Sequence, residues 1–342
     1  MIRLGVIGYG YWGPNLVRNF GEVAGAQVAA VSDLSADRLA VVRRRHPGVL
    51  TTTDCDELLR NPGIDAVAIA TPVSTHYELA MRALEQGKHV LVEKPLTTTS
   101  VEAARLIEAA DRRRLVLMVD HTFVYTAAVR KIQELVSSGR LGEVYYYDSV
   151  RVNLGLFQHD VNVIWDLAVH DLAILDFVIP QRPCAVSATG MNHVPGSLAN
   201  IAYVTAFFEG NLIAHIHVNW LAPVKLRRTL IGGSQRMIVY DDLEPSEKVK
   251  IYDKGIMVQD SGPESLYKTL IGYRTGDMLA PQLDLTEALR IEAQHFVQCI
   301  EQRSRPITGG EAGLRVVSLL EAATHSMNLR GQLVECAKGV AA

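Results

Sequence analysis

The hydrophobic and polar positions in the first part of the chain alternate between a strand pattern and a helix pattern. Short apolar runs predict strands at residues 2–8, 27–32, 66–70, 89–92 and 115–119. Helical spacing of apolar residues predicts helices between them, at residues 14–20, 36–45, 75–86 and 100–113. Strands that alternate with helices predict a parallel, doubly wound sheet. These strands are apolar throughout, as expected where helices cover both faces of the sheet.

After about residue 122 the pattern changes to longer, half-polar strands. These are predicted at residues 144–154, 185–191, 201–208, 211–220, 225–231, 237–241 and 248–252. Helices are predicted at residues 127–138, 165–177, 285–301 and 311–328. Tight polar turns such as Glu209-Gly210 and Gly232-Gly233 predict a large, open, mostly antiparallel sheet. We therefore expect an α/β domain over residues 1–122, followed by an α+β domain over residues 123–342.

Composition narrows the class of protein. The chain has 342 residues, 48% of them hydrophobic, and a net charge of −3, so nothing suggests nucleic acid or a membrane surface as a partner. No apolar run reaches the roughly 20 residues of a membrane span, and the start of the chain lacks a signal-peptide pattern. The cysteines, Cys55, Cys184, Cys299 and Cys336, lack metal-ligand spacing. We expect a soluble cytoplasmic protein without a bound metal.

A glycine motif opens the first predicted helix. Gly8, Gly10 and Gly13 form the pattern G-x-G-x-x-G directly after the first strand. Such glycines permit a tight turn, close approach of a pyrophosphate to the backbone, and close packing of helix on strand. Pro14 suits a first helical turn because it has no N–H that would need a partner. The motif predicts a dinucleotide at the positive end of this helix.

Asp33 indicates which dinucleotide the chain binds. It ends the second predicted strand, at the position where a carboxylate accepts hydrogen bonds from ribose hydroxyls. A carboxylate there repels a 2′-phosphate, so we expect NAD rather than NADP. Arginines at residues 43–45 leave NADP open, although cations are also favoured at the C-terminal end of a helix.

Two further strands end in polar residues. Thr71 and Pro72 follow one strand, and Glu93, Lys94 and Pro95 follow the next. In a doubly wound sheet, ligands lie beyond the C-terminal ends of the strands, so these residues and His76 are expected around the cofactor. Proline after Lys94 restricts the local geometry, and an X-Pro bond can be cis. Lys94 is therefore a candidate for binding a reacting oxygen.

With these motifs the sequence resembles the Gfo/Idh/MocA family of oxidoreductases. The resemblance rests on GYGYWG at 8–13, Asp33, TPVSTH at 71–76 and EKP at 93–95, and it continues into WDLAVHDL at 165–172. It covers essentially the whole chain and implies a Rossmann domain followed by an open, mostly antiparallel sheet. Residues 151–175 and HIHVNW at 215–220 most resemble bacterial members near the sugar-nucleotide 3-dehydrogenases.

The second motif of the family carries an aspartate and a histidine, which Asp166 and His170 match. Residues four apart share a helix face and can present both groups to one cavity. Oxidation of an alcohol needs a base for the hydroxyl proton, and histidine titrates near neutrality. The resemblance implies that Lys94, Asp166 and His170 are catalytic. Whether Lys94 or His170 takes the proton is open at this point.

The remaining candidates follow from position. Residues expected to contact the cofactor are Gly8, Tyr9, Gly10, Tyr11, Trp12, Gly13, Asp33, Arg38, Thr71, Pro72, Val73, His76, Glu93, Lys94 and His121. Residues expected near the substrate are Arg151, Asn153, Trp165, Asn219, Tyr273 and Arg274. The last two fall in a loop-like stretch, 272–277, where arginine would suit a diphosphate.

The predicted function is an NAD(P)-dependent dehydrogenase acting on a secondary hydroxyl of a sugar or sugar nucleotide, with ring carbon 3 of a nucleotide-linked hexose as the first candidate. An inositol-type dehydrogenase is the alternative enzyme, and a non-catalytic cofactor-sensing protein is the alternative of another class, since fold alone does not set function. The joint presence of Lys94, Asp166 and His170 favours an enzyme. The exposed face of an open sheet favours a homodimer or homotetramer.

Overall fold

A computed structural model describes residues 1–155, 160–196, 198–259 and 270–336. The chain divides into two compact units: Met1–Thr126 with Leu285–Glu321, and the described part of Ala127–Asp284 with Ala322–Ala342. The sequence placed one boundary at 122/123, with all later residues in the second domain. In the structure, residues 285–321 pack with the first unit instead. A helical pattern identifies an apolar face, but it does not identify the surface against which that face packs.

The first unit contains a parallel sheet. Its strands are β1 (Ile2–Ile7), β2 (Ala26–Ser32), β3 (Leu50–Thr52), β4 (Ala66–Ile69), β5 (His89–Glu93) and β6 (Leu117–Asp120). Within the described residues they form one sheet in the order β3-β2-β1-β4-β5-β6, with every neighbouring pair parallel. The predicted doubly wound sheet is therefore confirmed.

Helices connect these strands and extend the unit. They are α1 (Gly13–Glu22), α2 (Ala36–Arg45), α3 (Cys55–Arg60), α4 (His76–Glu85) and α5 (Ser100–Arg113). From the end of the chain comes α8 (Ala288–Gln302), which packs on α1. Phe20 and Phe296 meet edge to face at 6.1 Å, and Arg18 bonds Glu287 at 2.7 Å. These contacts explain why α8 belongs to the first unit.

The second unit contains a mixed sheet. Its helices are α6 (Ala127–Ser137) and α7 (Val169–Val178), and its first strands are β7 (Val144–Leu154), β8 (Pro183–Met191), β9 (Ile201–Phe208) and β10 (Ile213–Asn219). Then come β11 (Leu221–Gly233), β12 (Met237–Asp241), β13 (Val249–Gln259), β14 (Leu270–Leu279) and β15 (Val334–Glu335). Helix α9 spans Gly310–Asn328, and its residues up to Glu321 belong to the first unit.

In the described residues the order is β14-β13-β12-β11-β7-β10-β9-β8-β15. Only β7 and β10 pair in parallel there, so the predicted mostly antiparallel sheet is confirmed. The loop expected at 272–277 is wrong, because these residues lie in β14 and pair with β13.

Burial alternates along the central strands of the second sheet. On β9, Ala202, Val204 and Ala206 are buried, whereas Tyr203 and Thr205 are more exposed. Successive side chains of a strand point to opposite faces, so this alternation defines an inner and an outer face. Helix α7 packs on the inner face at β7. It also carries His170, one of the candidate catalytic residues.

Candidate active site

The glycine loop follows β1 with little room around two of its glycines. Gly8 has φ +96°, and a Cβ there would lie 2.5 Å from the carbonyl oxygen of Ala70. A Cβ on Gly13 would clash with the carbonyl oxygen of Gly8. Both positions therefore require glycine, one for its backbone conformation and both for close packing.

The same loop presents a set of unpaired donors. The backbone N–H groups of residues 10–13 have no acceptor in the described part of the chain. Gly10 faces open space, since the nearest atom to a Cβ there is Nη1 of Arg38, at 3.8 Å. Helix α1 begins here without a side-chain cap and without an acidic residue in its first turn. This arrangement fits a pyrophosphate, which would accept from the N–H groups at the positive end of the helix.

Asp33 lies beside the glycine loop and holds it in place. Its Oδ2 accepts from the N–H of Tyr9 at 2.7 Å, and its Oδ1 accepts from the N–H of Ser35 at 2.8 Å. Arg38 approaches Oδ2 of Asp33 at 3.5 Å. Asp33 itself is only 8% exposed. Each carboxylate oxygen has two lone pairs, so the group can still accept from ribose hydroxyls.

His76 ties together the segments that follow β4 and β5. Its ring nitrogens lie 2.8 Å from the carbonyl oxygens of Pro95 and Thr71, and the side chain is 1% exposed. The sequence predicts that His76 contacts the cofactor directly. The structure instead buries it as a positioning residue behind Thr71 and the Lys94-Pro95 peptide, which is cis.

Lys94 lies at the end of β5, half-buried, beside a buried histidine. His121 is 2% exposed, and neither ring nitrogen has a hydrogen-bond partner among the described residues. Burial, helped by the positive charge of Lys94, lowers the pKa of His121 to about 3. His121 is therefore neutral, and the positive charge at this place comes from Lys94.

Two acidic residues behind the loop were missed from the sequence. Trp12, the residue before α1, donates from Nε1 to Oδ2 of Asp120 at 2.6 Å. Asp120 pairs with Glu93 in the register of β5 and β6. Glu292 of α8 is fully buried, and burial, followed by the charge of Asp120, raises the pKa of Glu292 well above its usual range. Asp120 thus holds the indole of Trp12 at the start of α1, with Glu292 buried close to Asp120.

Asp166 and His170 lie in the second unit, on consecutive turns. Residues Ile164–Ala168 form a π-turn that leads into α7, and such turns are frequent at functional sites. Oδ1 of Asn162 accepts from the N–H of Ile164 at 2.9 Å and starts the turn. Asp166 accepts from Nε1 of Trp220 at 3.0 Å. Trp220, which orients this carboxylate, was missed because a buried tryptophan looks like ordinary core in a sequence.

Arg151 does not reach a substrate. Its Nε donates to Asp171 at 2.7 Å, and both side chains are at most 5% exposed. Ser149 donates to the same carboxylate at 2.7 Å. Its strand face lies beneath α7 and its charge forms a buried ion pair, so the predicted substrate contact of Arg151 has no support from its position.

The other substrate candidates lie at separate places in the second unit. Nε1 of Trp165 donates to Thr324 at 2.9 Å, Oδ1 of Asn219 accepts from Leu221 in the turn after β10, and Asn153 is half-buried on β7. Tyr273 is 78% exposed on β14.

Arg274 lies beside Tyr273 on β14. It bonds Asp253 at 3.1 Å and the backbone oxygen of Gln235. Its contact with a diphosphate stays a prediction.

Comparison with known families identifies the two domains. A family model described as an oxidoreductase family with an NAD-binding Rossmann fold matches residues 2–121, and a GFO/IDH/MocA C-terminal domain matches residues 129–239. The chain belongs to the Gfo/Idh/MocA oxidoreductase family. The resemblance seen in the motifs is thereby confirmed, as is the prediction of an enzyme.

Several Gfo/Idh/MocA relatives are similar over most of their length. UDP-N-acetylglucosamine 3-dehydrogenase of Acidithiobacillus ferrooxidans is 29% identical, over 93% of this chain and 94% of the relative. Its crystal structure has a TM-score of 0.81 at 26% identity, covering 97% of this chain and 99% of that one. The scyllo-inositol 2-dehydrogenase (NAD(+)) of Bacillus subtilis is 30% identical, over 90% and 87%.

The Gfo/Idh/MocA assignment agrees with the first unit, whose loop fits a dinucleotide. In the described parts of the chain, no helix has both the length and the apolar character needed to cross a membrane.

Proposed function

We propose that this chain is an NAD-dependent dehydrogenase that oxidises a secondary hydroxyl of a sugar nucleotide, with carbon 3 of a nucleotide-linked hexose as the first candidate. The observation that carries the proposal is the row of unpaired N–H groups at residues 10–13, with Asp33 beside it. The 29% identity to a UDP-N-acetylglucosamine 3-dehydrogenase supports the substrate class.

The proposed reaction has two parts, the transfer of a hydride and the transfer of a proton. Nicotinamide, when bound, supplies the hydride acceptor, and the protein handles the hydroxyl proton. Lys94 would stabilise the negative charge that develops on the substrate oxygen through its own positive charge. His121 beside it is neutral and would not compete for that negative charge. His170 would accept the proton, and Asp166, oriented by Trp220, would stabilise the resulting imidazolium.

Asp33 supports NAD as the cofactor. Its carboxylate lies against the loop with both oxygens accepting backbone N–H groups, so its position beside the expected ribose site is fixed. A 2′-phosphate would meet that fixed negative charge. Arg38, 57% exposed in its side chain and 3.5 Å from Asp33, partly offsets the repulsion. We therefore propose a preference for NAD rather than complete exclusion of NADP.

An inositol is the second candidate substrate. It is favoured by the 30% identity to the scyllo-inositol 2-dehydrogenase (NAD(+)). A cyclitol has no diphosphate, so it would make no use of an arginine on β14. The two candidates therefore differ in whether the nucleotide part of the substrate adds affinity.

The test is reduction of NAD measured with purified protein against UDP-hexoses, free hexoses and inositols. We expect the highest kcat/KM with a nucleotide-linked hexose, and a product that carries the ketone at carbon 3 by NMR. Lys94→Ala and His170→Ala should each lower kcat by roughly a hundredfold or more. Lys131→Ala, which removes a half-buried lysine paired with Glu134, is the matched control and should leave kcat unchanged. A higher kcat/KM for free inositol than for every sugar nucleotide would refute the first candidate.

We also propose that the protein is a homo-oligomer through the outer face of the second sheet. Exposed apolar residues lie on this face: Tyr203 on β9, Ile213 on β10 and Leu226 on β11. Tyr203 stacks on His217 at 4.5 Å and makes the face flat and aromatic. Light scattering after size exclusion should give a dimer or tetramer, and Tyr203→Arg should shift it toward monomer. A monomeric wild type refutes this proposal.

A further inference from the structure

A second cavity lies within the first unit, away from the glycine loop. It has a volume of about 700 Å³, and the residues that begin β5 and β6, His89 and Leu117, line it. In a parallel sheet all strands begin at one edge and end at the other. The glycine loop follows the end of β1, so this cavity is at the opposite edge of the sheet from the proposed cofactor site.

Arginines dominate the charge of this cavity. Arg113 and Arg114 come from the end of α5, and Arg303 and Arg305 follow α8. Arg305 is neutralised by Glu311 at 2.9 Å. Among the described residues, no carboxylate forms an ion pair with Arg114 or Arg303. The carboxylates of Asp111 and Glu311 also line the cavity, so four arginines face two carboxylates and the lining keeps an excess of positive charge.

Two of these arginines occupy an unusual backbone conformation. Arg114 ends α5 with φ +55°, and Arg303 ends α8 with φ +52°. Glycine adopts this left-handed conformation at helix ends without cost, whereas an L side chain is disfavoured there. Both helix ends that face the cavity nevertheless carry arginine.

Other groups add donors and an apolar wall. Nδ1 of His89 accepts from the N–H of Val116 at 2.9 Å, so the neutral ring carries its proton on Nε2. Burial lowers the pKa of His89 and keeps the ring neutral. Helix α9 begins at the cavity, and the N–H groups of residues 311 and 312 have no acceptor among the described residues. Ile107 and Ile300 supply apolar wall.

We propose that this cavity is a second ligand site, which binds a small organic phosphate. Arg114 and Arg303 would bind the phosphate through their planar forks, and the start of α9 would donate backbone N–H groups to it. The organic part would lie on Ile107 and Ile300. A volume of this size suits a metabolite rather than a macromolecule. The proposal is independent of the dehydrogenase substrate.

The simpler explanation is that the arginines only stabilise helix ends, where cations are favoured. The two explanations differ in what a ligand does. The probe is phenyl phosphate, which combines one phosphate with one apolar ring, titrated calorimetrically in saturating NAD so that the glycine loop is occupied. We expect binding to the wild-type protein, with phenol and inorganic phosphate each at least tenfold weaker.

The variants Arg114→Gln and Arg303→Gln keep the length of the side chain and remove its charge. Each should raise the Kd for phenyl phosphate at least tenfold. Arg112→Gln is the matched control: it comes from the same helix end but is paired with Glu108 at 3.1 Å, and it should bind as the wild type does.

Three results would overturn the proposal. The first is unchanged phenyl phosphate affinity in both variants, with or without a fall in melting temperature. The second is equal binding of inorganic phosphate, which would mean an adventitious ion only. The third is loss of binding when NAD is added, which would place the probe in the glycine loop.

Discussion

Glu292 allows a sharp test of the electrostatics behind the glycine loop. Its side chain is fully buried in α8, and burial and the charge of Asp120 raise the pKa of Glu292. The folded protein therefore holds a proton that the unfolded chain releases above about pH 4.3. A group with a raised folded pKa contributes its full stability below the unfolded pKa. That contribution is lost as the pH rises toward the folded pKa.

The magnitude follows from linkage. One proton held only by the folded state lowers the free energy of unfolding by about 1.4 kcal/mol for each unit of pH. Solvent screening does not reduce this value, because Glu292 is 0% exposed. Glu292→Gln keeps the shape of the side chain and cannot ionise. Its advantage over the wild type should therefore grow by about 1.4 kcal/mol per pH unit above about pH 5, up to the folded pKa.

Urea unfolding of the wild type and Glu292→Gln from pH 5 to pH 8 measures this difference directly. Other titrating groups, including His121, are the same in both proteins, so their contributions to the free energy of unfolding cancel in the difference. Glu287→Gln is the control: its hydrogen bond with Arg18 lowers the pKa of Glu287, so the difference from wild type should stay flat over this range. A flat difference for Glu292→Gln as well would show that Glu292 is ionised in the folded protein, and the reasoning would fail.

Four further outcomes are expected. Asp33→Asn should narrow the ratio of NADP to NAD dissociation constants by about tenfold, or 1.4 kcal/mol, in equilibrium titrations. Gly10→Ala should leave the melting temperature nearly unchanged, since its Cβ meets open space, but weaken NAD binding at least tenfold. Asp171→Ala should cost about 3–5 kcal/mol in urea unfolding, because it leaves Arg151 buried without its carboxylate. Arg274→Ala should raise KM for a sugar nucleotide and leave turnover of a small free sugar unchanged.

Most of the fold could be predicted because the hydrophobic period is explicit in the sequence. The predicted bounds 36–45, 100–113, 144–154, 201–208 and 237–241 coincide with helices and strands of the structure. Short elements such as β3 and α3, with three and six residues, have too few positions to show a period. The strand β14 was missed because Gly272 and Gly276 resemble loop residues.

The glycine motif and Asp33 were also predictable, because each glycine has a local steric reason that does not depend on distant residues. His76 and Arg151 were harder. Both are polar residues close in sequence to candidate site residues, and the sequence does not show that one side chain turns inward to bond two carbonyl oxygens and that the other lies beneath α7. Burial of a polar side chain depends on what packs against it, which is tertiary information.

A usable signal for such buried charges does exist. Glu292 lies between Leu289 and Phe296 at helical spacing, so it falls on the apolar face of α8. Asp171 likewise stands within a mostly apolar helix, directly after His170. A carboxylate at a position where the period requires an apolar side chain is unfavourable unless it is protonated or paired. In the structure, burial and the charge of Asp120 raise the pKa of Glu292, and Asp171 is the ion-pair partner of Arg151 beneath α7. In this chain, breaks in the apolar period therefore locate the groups that support the loop and α7.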